Sequence, residues 1–126
     1  MNNQLIKMLI ALKNASLAKQ KFVLVQNTPL VLNCLAVLYR EGLILSYSYN
    51  SADSQILVKL RFFEGQCLTT NIHIMSKVSH IKFLNFRQVC RMNLGNRVAF
   101  FLTSNGIQTL EECKANKVGG VLAFYS

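Results

Sequence analysis

The spacing of apolar positions changes several times along this chain, and each change marks an element. Leu5, Met8, Leu9 and Leu12 recur at helical spacing, which predicts an amphipathic helix over residues 2–18. Lys7 and Asn14 share the opposite, polar side of that helix. Residues 22–25 form a short apolar run and read as a strand. Thr28 is a good cap and Pro29 a good first helical residue, so a second helix is expected over residues 29–41, ended by Gly42. Its expected buried stripe is Leu32, Leu35, Ala36 and Tyr39. Residues 43–49 and 55–63 read as two strands joined by the polar stretch Asn50-Ser51-Ala52-Asp53-Ser54. In the second of them, Val58 and Leu60 alternate with Lys59 and Arg61.

Glu64-Gly65 marks a turn and the expected boundary between halves 1–63 and 64–126. Residues 67–74 alternate as a strand does, and residues 81–83 form another short candidate. Residues 85–92 are expected to make a helical turn displaying Arg87 and Arg91, broken by Leu94-Gly95. Residues 98–102 are continuously apolar, as in a buried strand. After the loop Thr103-Ser104-Asn105-Gly106, the pattern Thr109-x-x-Glu112 is a capping box that opens a helix over residues 110–116. Gly119-Gly120 leads into a last strand over residues 121–125. The expected class is α+β in two small α/β halves. The N-terminal half is ordered α-β-α-β-β, and the C-terminal half is mostly β with one or two short helices.

A length of 126 residues with 52% hydrophobic content supports a packed core. Lys and Arg total 14 against 5 acidic residues, a net charge of +9 with pI near 9.7. Such a balance calls for an anionic partner, nucleic acid first and an anionic membrane surface second. The stretch from Lys77 to Arg97 holds Lys77, Lys82, Arg87, Arg91 and Arg97 with no acid, interleaved with Val78, Ile81, Phe83, Phe86 and Val89. A positive mean hydropathy of +0.29 and the uncharged residues 22–39 raise the question of a membrane span. Gln26-Asn27-Thr28-Pro29 interrupts that run, so no membrane association is expected. Cys34, Cys67, Cys90 and Cys113 show no C-x-x-C spacing. They read as small core residues in a reducing compartment, with no metal site and no disulfide framework.

The loop Thr103-Ser104-Asn105-Gly106 is the sharpest chemical candidate. Its hydroxyls and amide have the donors and acceptors that read a ribose 2′-OH or an unstacked base, although the same residues serve an ordinary turn. Catalysis finds little support. Two histidines and 5 carboxylates offer few acids and bases, and Cys90 with His80 has no informative spacing. No enzyme activity, cofactor or small-molecule substrate is expected. Phe83, Phe86, Phe100, Phe101, Phe124 and Tyr125 read mostly as core, with one or two available to stack on a base.

Several ordered blocks resemble one family. They are Met8-Leu9-Ile10-Ala11-Leu12-Lys13-Asn14-Ala15, Val37-Leu38-Tyr39-Arg40-Glu41-Gly42-Leu43-Ile44 and Leu60-Arg61-Phe62-Phe63-Glu64-Gly65. Leu94-Gly95, then Leu102-Thr103-Ser104-Asn105-Gly106-Ile107, then Val118-Gly119-Gly120 complete the series. Together they resemble the bacterial-type small-subunit ribosomal protein number eight, the S-eight family. The resemblance implies a structural protein that binds an irregular helix in the central domain of small-subunit ribosomal RNA and meets neighbouring small-subunit proteins. It implies that most RNA contact comes from the C-terminal half. The expected RNA-binding set is Lys7, Lys13, Asn14, Ser76, Lys77, Lys82, Arg97, Thr103, Ser104, Asn105, Gly106 and Gly120. Thr103 and Ser104 match two residues of the family's Ser-Thr-Ser loop; Leu102 replaces the first serine, and Asn105 stands where lysine is usual. Ser76-Lys77-Val78-Ser79 replaces a Ser-Arg-Pro-Gly turn, and Asn96 and Arg97 lengthen the stretch after Gly95. These departures, the abundance of Phe, Leu, Ile and Asn, and a match beginning almost at Met1 lead to the expectation of a mitochondrial member made inside the organelle. A plastid or bacterial member is the runner-up. The competing function is a general basic nucleic-acid binder with no ribosomal role.

Overall fold

The computed structural model describes residues 3–49, 54–76 and 80–126. Two compact units divide the chain, one of residues 4–72 and one comprising mainly residues 73–126. Residues 64–72, expected to open the second half, group with the first.

In the N-terminal unit, α1 (Asn3–Leu17) buries Leu5, Met8, Leu9, Leu12 and Ala15 and exposes Lys7 and Asn14, as its periodicity predicts. β1 (Phe22–Gln26) leads to α2 (Pro29–Arg40), where the Thr28 hydroxyl accepts from Val31 N–H at 3.3 Å. The buried residues of α2 are Val31, Cys34, Leu35, Val37 and Leu38, while Ala36 and Tyr39 are exposed. The expected stripe is thus rotated. This helix is apolar on most sides, so spacing alone leaves two adjacent stripes that share Leu35. Gly42 follows α2 with φ of +79°, a conformation suited to glycine at a helix end.

β2 (Ile44–Tyr49) and β3 (Gln55–Leu60) complete an antiparallel three-stranded sheet of order β1-β3-β2. Ile56, Val58 and Leu60 are buried while Gln55, Leu57 and Lys59 are exposed, so the sheet has one covered and one open face. The strand expected to reach residue 63 stops at Leu60. β4 (Phe62–Phe63) instead pairs with β5 (Gln66–Cys67) across Glu64-Gly65, whose φ values are +52° and +79°. A two-residue hairpin of this hand matches strand twist.

The alternation at residues 67–74 proves misleading. A 3-10 turn spans Leu68–Asn71, followed by β6 (His73–Ile74). Cys67, Thr69 and Ile72 are the buried positions, a spacing of a turn and not of a strand. The Cys67 thiol and Thr69 hydroxyl share a 3.1 Å hydrogen bond, and Ile72 N–H donates to Thr69 O at 3.3 Å.

The C-terminal unit contains β7 (Phe83–Leu84), α3 (Phe86–Arg91), β8 (Ala99–Thr103), β9 (Gly106–Thr109), α4 (Leu110–Asn116) and β10 (Gly120–Tyr125). Its sheet runs β6-β10-β8-β9, with β7 also paired to β10. Thr109 and Glu112 form the expected capping box, and Asn85 with Gln88 forms another on α3. β9 was not expected as a strand; Ile107, Gln108 and Thr109 are too few to show a period, and only pairing with β8 defines them. Ala99, Phe100 and Phe101 are all fully buried, so β8 is covered on both faces. Val89, Ala99, Phe101, Cys113 and Leu122 form a core cluster on one side. Phe100 and Phe124 stack on the other, with centroids 4.6 Å apart.

Of the cysteines, Cys34, Cys67 and Cys113 are buried, but Cys90 is exposed on α3, contrary to expectation. Its neighbour Val89 takes the inward position on this short helix. Burial pushes the Cys34 thiol far up, and burial aided by Glu112 raises Cys113. Among the described residues, no helix is long and apolar enough to cross a membrane, and no three His, Cys, Asp or Glu converge on a metal site.

Candidate nucleic-acid interface

The sequence-predicted residues fall in both units. Lys7, Lys13 and Asn14 lie on α1, with Lys7 and Asn14 exposed and Lys13 half-buried. The remaining described ones, Ser76, Lys82, Arg97, Thr103, Ser104, Asn105, Gly106 and Gly120, lie in the C-terminal unit. Lys77 lies outside the described residues.

The tip is a tight hairpin. β8 and β9 pair in the register Thr103↔Gly106, leaving Ser104 and Asn105 exposed at the turn. Gly106 has φ of +98°, which allows the chain to re-enter β9 at little steric cost. The Thr103 hydroxyl donates to Gly106 O at 2.9 Å and accepts from Asn105 N–H at 3.2 Å. Thr103 is therefore committed to holding the turn, and Ser104 and Asn105 are the side chains the turn presents.

The base of the hairpin is fixed by close backbone approach. A Cβ at Gly120 would lie 2.8 Å from Leu102 O and 2.9 Å from the Thr103 methyl. One at Gly119 would lie 2.5 Å from Leu84 O and 2.9 Å from Asn85 Cα. The glycine pair lets β10 enter between β7 and β8, with Gly120↔Leu84 and Val121↔Leu102 in register. Gly120 is buried, so its place is beneath the tip and not on its surface.

Ser76, expected as a contact residue, is fully buried. Its hydroxyl donates to Leu122 O at 2.5 Å and accepts from Lys82 N–H at 3.0 Å. Met75 and Ser76 N–H both donate to Ala123 O, at 2.9 and 3.3 Å, where β10 bulges between Leu122 and Phe124. Ser76 thus fastens the two ends of the segment between it and Lys82 onto β10, leaving the Lys82 side chain exposed.

Arg97 is exposed and stands over the Tyr125 ring at 5.0 Å. The imidazole of His73 stacks on the same ring at 4.9 Å, within 20° of parallel. The sequence pattern groups Tyr125 with aromatics that are mostly core and marks no role for His73. Only the cross-strand register Tyr125↔His73 and Tyr125↔Ala99 brings these side chains together. Of the aromatics set aside for stacking, Phe83 is 64% exposed beside the exposed Lys82, whereas Phe100, Phe101 and Phe124 are fully buried.

Comparison with known proteins identifies the family of the chain. The family profile described as Ribosomal protein S8 matches residues 3–125. The small ribosomal subunit protein uS8 of Gloeobacter violaceus is 31% identical over 128 residues, covering 98% of this chain and 96% of that protein. The protein uS8c of Oltmannsiellopsis viridis is 29% identical over 120 residues, covering 94% and 93%. The uS8 of Buchnera aphidicola is 27% identical, covering 99% and 97%. Matched along nearly its whole length, the chain belongs to the ribosomal protein S8 family and is a non-enzymatic structural constituent of the small ribosomal subunit.

Proposed function

We propose that the C-terminal unit binds small-subunit ribosomal RNA directly, gripping an irregular helix of its central domain and supporting subunit assembly. One observation carries this reading: Ser104 and Asn105 are exposed on a turn whose other polar groups are committed to holding its shape. A preorganised donor and acceptor pair loses little conformational entropy on binding. It can meet 2′-OH groups and base edges that an A-form minor groove or an irregular loop displays.

Lys82 and Arg97, with Lys77 of the same basic segment, are assigned to phosphate contacts, and Lys13 and Asn14 on α1 add to them. Phe83, exposed beside Lys82, is placed to stack on an unpaired base. Ser76, Gly106 and Gly120 act by shaping the surface. Phosphate contacts set affinity and the tip sets selectivity. The ribosome in question belongs to an organelle or a bacterium. The Phe-, Leu-, Ile- and Asn-rich composition favours the mitochondrial one, which sedimentation of purified mitochondria with detection of this chain in the small subunit tests.

The RNA reading is tested by titrating a central-domain ribosomal RNA fragment and a random RNA of equal length across a salt series. Lys82→Ala is expected to weaken both and to lower the salt slope by about one contact. Ser104→Ala is expected to weaken only the ribosomal fragment, with the salt slope unchanged. Equal losses on both RNAs for Ser104→Ala would return the protein to a general basic binder.

A further inference from the structure

The open edge of the N-terminal sheet has its own chemistry. Leu60 N–H donates to Lys21 O at 2.9 Å and Asn27 N–H donates to Ser54 O at 2.8 Å. With the register Val23↔Val58 and Val25↔Ile56, these bonds make residues 21, 23, 25 and 27 the ones whose main-chain groups point at β3. Phe22, Leu24 and Gln26 therefore turn their N–H and C=O groups the other way. β1 is an edge strand, so among the described residues no strand of this sheet lies there. A groove of about 190 Å³ runs beside this edge, lined by Lys7, Met8 and Ala11 of α1 and by Leu24, Val25 and Gln26. On the open face of the same sheet, Phe22 is 51%, Leu24 59% and Leu57 40% exposed.

From this juxtaposition we infer that β1 is a docking edge for an extended segment of a partner protein that alternates apolar and acidic side chains. The added strand would pair with the main chain of Phe22, Leu24 and Gln26. Its residues on one face would join Phe22 and Leu24, and those on the other would turn into the groove toward α1. Period-two alternation of the strand makes these requirements compatible. Charge settles the rest. The sequences of α1, β1, β2 and β3 contain no acid, and their cations include Lys7 in the groove and Lys59 over the Phe22 ring at 5.8 Å.

RNA is a poor occupant, because it has no repeating N–H and C=O row to match an edge strand and gains nothing from exposed Leu24 and Leu57. A second copy of this chain would bring the same cations against themselves. Lys7 is thereby assigned to a protein partner and not to phosphate. This inference stands apart from the RNA reading, since it concerns the main-chain edge of β1 and a different polymer, whereas that reading rests on the tip of the C-terminal unit with Lys13 and Asn14 of α1 adding to it.

The test uses the full chain and a fluorescent peptide of Val-Glu-Val-Glu-Val-Thr type, followed by anisotropy and by amide NMR. Binding with shifts centred on the amides of Phe22, Leu24 and Gln26 is expected. Replacing Glu by Lys in the peptide should weaken it about fivefold, and Lys7→Glu should reverse that preference. N-methylation of alternate peptide residues should cost at least about tenfold, because it removes the main-chain donors without touching the protein. Leu24→Ser should weaken the peptide and leave affinity for the ribosomal RNA fragment unchanged. The inference is overturned if the N-methylated peptide binds equally well, if the peptide shifts residues elsewhere, or if RNA protects these amides instead. Self-association that shifts the same amides in the absence of peptide also overturns it.

Discussion

The two sheets of this protein solve different problems. In the N-terminal sheet, β3 alternates strictly, with Ile56, Val58 and Leu60 inward and Leu57 and Lys59 outward, so one face stays open. In the C-terminal sheet, Ala99, Phe100 and Phe101 are consecutive and fully buried, as are Ala123 and Phe124 on the neighbouring strand. Burial on both faces restrains β8 from either side, and the Ser104-Asn105 tip grows directly from its end. A sheet covered twice makes a stiff mount for a recognition loop. A sheet covered once leaves a surface for something else to cover. Lysine and leucine on the open face are therefore not a failure of the core but a consequence of having only one.

The sharpest way to break this comparison is to hollow out the mount. Phe100→Ala removes a ring that stacks on Phe124 in a region with no exposed side to collapse into. A loss of about 3–5 kcal/mol is expected, a large share of a typical domain's stability. Chemical denaturation followed by circular dichroism measures it. A loss below about 1 kcal/mol would mean that β8 is not held from both sides.

Next in size is the fastening of the basic segment. Ser76→Ala leaves Lys82 N–H and Leu122 O without the hydroxyl that joins them. Unfolding is expected to become easier by about 1–3 kcal/mol. RNA affinity should fall as well, although Ser76 touches no solvent, because the cation at Lys82 loses its fixed position. If RNA affinity holds while stability drops, the segment between Ser76 and Lys82 takes no part in binding.

What the sequence revealed follows the same division. Much of the N-terminal order is legible because α1 and β3 have clean periods, 3.6 and 2, and Thr28-Pro29 marks the start of α2. Where periodicity was ambiguous it misled. The apolar α2 offered two stripes, and residues 67–74 alternated while folding as a turn. In the C-terminal unit the capping box at Thr109 and the glycine pair were readable, because caps and close approach demand particular residues. β9 and the His73–Tyr125–Arg97 stack were not, since both exist only through cross-strand pairing of residues far apart in the chain. The chain reversal at the tip is legible, but its two-residue length and the division of labour inside it are not. Thr103 and Ser104 are alike in sequence, and only the hydrogen bonds of Thr103 separate the one that shapes from the one that is presented.

That separation can be tested at a smaller energy. Thr103→Val keeps the shape of the side chain and removes the hydroxyl that links Gly106 O to Asn105 N–H. A stability loss of about 1 kcal/mol is expected, together with weaker selection of the ribosomal fragment over random RNA. Thermal melts and paired titrations check both halves. Full selectivity in Thr103→Val would show that the tip needs no internal lock.

The smallest stability effects should sharpen the contrast most. Ser104→Ala and Leu24→Ser both alter exposed side chains, one on each sheet. Each is expected to leave stability within about 0.5 kcal/mol. Their binding effects should nevertheless be opposite in kind. Ser104→Ala should lose discrimination for the ribosomal RNA fragment and keep the acidic peptide, because its hydroxyl belongs to the mounted tip. Leu24→Ser should weaken the peptide and keep the RNA, because it removes apolar surface from the open edge and leaves the basic segment intact. A crossed result, with Leu24→Ser weakening RNA selection, would mean that the one-sided sheet also serves the nucleic acid and that the two sheets share one task.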